Sequence, residues 1–190
     1  MVLPGHLAGG YLAARAVLFL THAAFTPAQT AALLTIGTLA GEAPDIDLIF
    51  FYFNQRSKTS KKIAEHRDYF THAPLVWLIL SLLIVASGLI FGSAFVQFTG
   101  WIILAGTFSH FILDSLEHGI RWLRPFSNKR FALRQTDPEA ECAGMGKGGA
   151  TASKGSFKSY WQFMTEPYLK SWTVWLEIAI TLAALWAAFR

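Results

Sequence analysis

Long apolar runs separated by short polar segments dominate the chain. The clearest, Ala73 to Phe95, contains 23 residues without a charge. At about 1.5 Å of rise per residue, a helix of that length crosses a hydrocarbon core of roughly 30 Å. A second run, from about Phe98 to Leu116, is polar only near its end, and a third, Trp172 to Phe189, carries Glu177 as its only charge. Two earlier candidates carry polar interruptions: Leu7 to Phe25 contains Arg15, and Ala28 to Phe53 is broken by LAGEAPDID. The pattern predicts an all-α, polytopic membrane helical bundle with about five transmembrane helices.

The cations sort with this pattern. Of the 16 Lys and Arg residues, 14 fall between the second and third runs (Arg56 to Arg67) or between the fourth and fifth (Arg121 to Lys170). The connections 21–29 and 92–97 contain none. Because basic loops stay in the cytoplasm, the expected topology has the N-terminus cytoplasmic and the C-terminus outside. The net charge of +4 then reports topology and contact with anionic lipid, and no nucleic-acid partner is expected. Only 15% of residues are charged while 53% are hydrophobic, against about a quarter charged in soluble domains. Cys142 is the single cysteine, which excludes a disulfide framework and a cysteine-based zinc motif. No signal-peptide pattern opens the chain, so the first apolar run is expected to be retained.

Three regions follow. Residues 1–134 form the expected membrane-embedded domain. Residues 135–156 are small and polar, and read as a flexible linker. Their GMGKGGAT lacks the spacing of a phosphate-binding loop. Residues 157–190 give an aromatic, Lys-flanked interfacial segment followed by the final helix.

The charge rule brings the chemistry to one level. His6 opens the first run, Asp45 and Asp47 lie in APDID, His66 and His72 in HRDYFTH, and His110 and Asp114 end the fourth run. All fall on the cytoplasmic side. His110 and Asp114, four apart, share a helix face, and His118 and Arg121 continue that stripe until Pro125 stops the helix. Thr71 is positioned to cap the third helix, with Pro74 in its first turn. His72 would then begin that helix while His66 reaches in from the loop. Buried His and Asp are costly unless paired or metal-bound. Imidazoles with carboxylates suit a divalent metal, zinc first and Mn²⁺ or Fe²⁺ as alternatives. The number of candidate ligands would accommodate two ions. Blander readings exist for single pieces. His110 with Asp114 alone could be a helix-face hydrogen bond, PDID a helix stop, and His22 and His118 solvated side chains. Arg15 needs a partner, for which Glu42 and Glu177 are the candidates.

Taken together, the N-terminal His6, APDID at Ala43–Asp47, HRDYFTHA at His66–Ala73, HFILD at His110–Asp114 and GIRWLRPF at Gly119–Phe126 resemble the YdjM-like family of bacterial inner-membrane proteins, whose inferred activity is metal-dependent hydrolysis. More distantly the layout is similar to the zinc-dependent phospholipase C and single-strand nuclease superfamily. The resemblance covers roughly the first 130 residues. It implies a bacterial inner-membrane location and His6, Asp47, His66, His72, His110 and Asp114 as metal ligands. Asp45 becomes a ligand, a ligand-orienting group or a general base, and Arg67 a phosphate-oxygen donor. The expected function is a membrane-embedded, metal-dependent hydrolase that cleaves a phosphoester of a lipid or lipid-like small molecule at the cytoplasmic face. A non-enzymatic, metal-stabilised scaffold or adaptor is the alternative, and a metal or proton transporter is a third reading.

Overall fold

A computed structural model describes residues 3–47, 69–116, 119–133 and 172–190. Within them the chain forms five α-helices: α1 (Leu3–Thr21), α2 (Pro27–Glu42), α3 (Pro74–Ile90), α4 (Ala94–Ser115) and α5 (Trp172–Ala188). The linker 135–156, the interfacial segment up to residue 171, His66, Arg67, His118 and the basic loop 56–67 lie outside the described residues.

The five helical runs expected from the pattern are present, with shifted ends. By length and composition, α4 is the one described helix long and apolar enough to cross a membrane, while α3 and α5 are apolar but shorter. The uninterrupted run Ala73–Phe95 is divided: α3 stops at Ile90, and α4 starts at Ala94 with the Ser93 hydroxyl accepting from the Val96 N–H at 3.4 Å. Hydropathy alone cannot mark this turn, because its flanking residues are as apolar as the helices.

Local chemistry explains the other boundaries. Thr26 and Gln29 form a reciprocal capping box with Pro27 in the first turn of α2, which satisfies two orphan backbone donors. At its far end the Ala43 N–H reaches Ala40, and Pro44 has no N–H to continue the ladder. The chain tightens into a 3-10 turn over Ala43–Ile46. A second 3-10 turn, Phe70–His72, leads into α3. Here the sequence expectation is corrected. The N-cap of α3 is Ala73, with no side-chain cap, and Pro74 takes the first helical position. Thr71 is drawn elsewhere, donating its hydroxyl to Asp47 at 3.3 Å, and His72 belongs to the turn, not to the helix. Likewise α4 ends at Ser115 and does not run on to Pro125. The Gly119 N–H closes the helix end on the Asp114 carbonyl at 3.1 Å, with Gly119 at φ +80°, a conformation that favours glycine.

Helix directions alternate through the bundle. Gly41 of α2 lies against His6 of α1 and Gly37 against Ala14, so these two run antiparallel. Gly88 lies against Gln97 and Gly100 against Ser81 and Val85, so α3 and α4 do the same. Parallel pairs complete the set. Gly37 meets Ile102 while Gly41 meets His110, which aligns α2 with α4. Gly5 meets Glu177 while Arg15 meets Ala187, which aligns α1 with α5. Ala14, Leu33 and Ile102 form the buried core. The close approach of α1 and α2 depends on Gly41, since a Cβ there would collide with the His6 carbonyl.

Arg15 has a different partner from either one expected. Its guanidinium donates to the Ala187 carbonyl near the end of α5 and to the Tyr11 hydroxyl at 3.3 Å. A cation over the last carbonyls of a helix satisfies groups that the helix leaves unpaired.

Candidate metal centre

The two 3-10 turns and the ends of α1 and α4 carry the polar side chains to one buried point. His6, Asp47, His72, His110 and Asp114 are all buried, and Asp45 keeps only 13% of its side chain exposed. His72 and His110 bring their Nε2 atoms together, and the carboxylates of Asp114 and Asp45 each lie within 4 Å of both. His110 Nε2 lies 3.4 Å from His72 Nε2. Asp114 Oδ2 lies 3.6 Å from His72 Nε2 and 3.9 Å from His110 Nε2. Asp45 Oδ1 stands 3.8 Å from each of the same two nitrogens.

These separations fit a cation. Ligands about 2.0–2.1 Å from a tetrahedral zinc stand roughly 3.3–3.4 Å apart, and a slightly larger shell relaxes that spacing. The ring orientations agree. His110 Nδ1–H donates to the Gly41 carbonyl at 2.8 Å, which leaves its Nε2 lone pair facing the centre. His72 Nδ1–H donates to Asp47 Oδ2 at 2.7 Å, which presents its Nε2 the same way. Such outer hydrogen bonds fix tautomer and ring angle in metal sites. Burial alone favours a neutral His72, but the Asp114 and Asp47 carboxylates outweigh it and raise its pKa to about 9. Without a metal the carboxylates hold a proton on His72, and a bound cation would replace it at Nε2.

Asp47 stands behind this arrangement. Its Oδ2 serves His72 and Thr71, and it is absent from both groups of three whose ligand atoms converge: His6, His110 and Asp114, and Asp45, His72 and His110. Those two groups share His110, whose Nδ1 is committed to Gly41. They therefore compete for one nitrogen. His6 stacks on His110 with ring centroids 4.0 Å apart and places Nε2 3.3 Å from Asp114 Oδ1. Neither His6 ring nitrogen has a hydrogen-bond partner. A buried imidazole without one is costly, and a cation beside it would remove that cost.

The sequence pattern did not reveal three supporting groups. The Gly41 carbonyl is a backbone acceptor, which no side-chain motif marks. Thr71 looks like a helix cap until Asp47 claims it. Glu177, 172 positions from Gly5, accepts that residue's N–H at 2.9 Å and so holds the α1 turn that carries His6. Its only sequence signal is a lone acid in an apolar helix. Glu42 lies within electrostatic range of Asp45, Asp114 and Glu177, and its buried Oε2 has no hydrogen-bond partner.

The family model of the YdjM inner membrane protein matches residues 1–189, the match extending through α5. No curated protein and no solved structure matches the chain.

Proposed function

The chain belongs to the YdjM inner membrane protein family, and from that premise we propose that it is a membrane-embedded, metal-dependent hydrolase acting on a phosphoester of a lipid or lipid-like molecule at the cytoplasmic face. The approach of the Asp114 and Asp45 carboxylates to the paired Nε2 atoms of His72 and His110 carries the proposal. The alternating helix directions are those that five successive crossings require, and the basic loops favour an internal N-terminus. On that topology the site lies at the cytoplasmic end of α4, at the depth of lipid headgroups.

His72, His110 and Asp114 would hold one divalent ion, zinc by the chemistry of the donor set. When bound, the ion supplies Lewis acidity to water and to a phosphoryl oxygen. Asp47 holds the His72 ring and Gly41 holds the His110 ring, while His6 Nε2 lies 3.3 Å from the second oxygen of Asp114. Asp45 takes the remaining side of the centre and is its most exposed member. Its carboxylate is placed to accept a proton from an entering water. Arg67, which lies outside the described residues, keeps its proposed role toward a phosphate oxygen.

Burial favours one second reading. Five of the six polar groups are sealed, as in a structural site. If Asp45 closes the coordination sphere as a fourth ligand, the ion fastens helix ends and nothing is hydrolysed. Asp45→Asn separates the two. In the hydrolase the variant retains metal and loses headgroup release from a phospholipid panel in nanodiscs. In the scaffold it loses metal and melts earlier, and the parent protein releases nothing from the panel.

A further inference from the structure

Beyond the metal centre, α4 is followed by a hairpin, Gly119 to Leu133, closed by a bridge between Ile120 and Phe131. Two anchors hold it to the end of α4. The Leu133 N–H donates to the Ser115 carbonyl at 2.8 Å, and the Trp122 indole N–H donates to the Ser115 hydroxyl at 2.9 Å. The Trp122 ring also packs edge-on against Phe108 and Phe111, at 5.8 and 6.2 Å between centroids. The hairpin is therefore fixed beside the last turns of α4, next to the helix segment that carries Asp114.

Its surface combines two properties. Leu123, Phe126, Phe131 and Leu133 are 67%, 86%, 57% and 74% exposed. Between Gly119 and Leu133 the sequence holds four cations, Arg121, Arg124, Lys129 and Arg130, and no carboxylate. Lys129 and Arg130 are exposed, whereas Arg121 Nε and Arg124 Nη1 are buried. Exposed large apolar side chains in so short a segment are unfavourable in water. At an interface they enter the acyl boundary while arginine and lysine extend their charges to the headgroups.

We propose that this hairpin is a membrane-surface anchor that inserts its apolar tip into the cytoplasmic leaflet and selects anionic phospholipid through its exposed cations Lys129 and Arg130. Charge complementarity and continuity with α4 identify lipid as the occupant. The anchor rests on membrane residence alone and does not require that the centre bind metal or hydrolyse anything.

The test uses the full-length chain with Cys142→Ser and Phe126→Cys, labelled with a fluorophore and reconstituted into vesicles of phosphatidylcholine with or without phosphatidylglycerol. Brominated lipids should quench the label, brominated phosphatidylglycerol about twofold more strongly than brominated phosphatidylcholine. Replacing Lys129 and Arg130 together by Gln should abolish that preference while bromolipid quenching persists. A label quenched by aqueous iodide and untouched by brominated lipid would overturn the anchor in favour of a soluble partner. Shielding from both quenchers that grows with protein density would overturn it in favour of a second copy of the chain. Equal quenching by the two brominated lipids would refute the anionic selectivity.

Discussion

Asp47 Oδ2 meets His72 at Nδ1, 2.7 Å away, on the opposite edge of the ring from the Nε2 that faces His110. The pair divides the labour within PDID. Asp45 faces the centre from its more open side, and Asp47 orients a histidine from behind.

That division predicts different outcomes for two neighbouring substitutions. Asp47→Asn should lower metal affinity by about 10–100-fold, while saturating metal still fills the site. Asp45→Asn should retain affinity closer to the parent and lose turnover. Competition titrations against a chromogenic chelator in detergent measure both. Equal effects of the two variants on affinity would show that the carboxylates are not functionally distinct.

The crossing of α1 and α2 should tolerate no side chain at its tightest point. Gly41→Ala sets a Cβ against the His6 carbonyl and displaces the backbone oxygen that orients His110. Overpacking of this kind costs roughly 1–3 kcal/mol. Thr35→Ala, on the exposed face of α2, should stay within about 0.5 kcal/mol. Thermal melts in detergent compare the two, and unchanged stability for Gly41→Ala would mean that the helices separate more easily than this packing allows.

Glu177 should matter as an acceptor rather than as a charge. Glu177→Gln keeps an oxygen for the Gly5 N–H, whereas Glu177→Leu leaves that buried donor unsatisfied, at a cost of about 1–3 kcal/mol. The Leu variant should also weaken metal binding, because His6 adjoins Gly5. If Gln proves as damaging as Leu, the charge itself is required and this assignment fails.

Arg15 joins two helices that are far apart in sequence. Arg15→Leu removes its contact with the Ala187 carbonyl but also removes a charge from an apolar helix. Metal content should be unchanged, because the contact joins α1 and α5 away from the centre. Protease sensitivity of the C-terminus should increase as α5 loosens. A fall in metal content would instead couple this contact to the site.

Much of the arrangement was legible in the sequence, for identifiable reasons. Long apolar runs with at most one acid each mark α3, α4 and α5 because lipid-compatible helices need them. The four-residue spacing of His110 and Asp114 places both on one face whatever packs against it. Boundaries were harder wherever turn residues were themselves apolar, as at Phe91, or where a capping residue had a distant competitor, as Thr71 does in Asp47. The opposed orientations of Asp45 and Asp47 depend on the 3-10 turn after Pro44, and the roles of Gly41 and Glu177 on helix packing. No local spacing encodes those relationships.

The metal centre stands or falls on elemental analysis of the detergent-purified protein beside Asp114→Ala, washed identically. Near-stoichiometric zinc, manganese or iron is expected in the parent, with its loss in the variant. The same metal content in both, or none in either, would contradict a metal centre built on His72, His110 and Asp114.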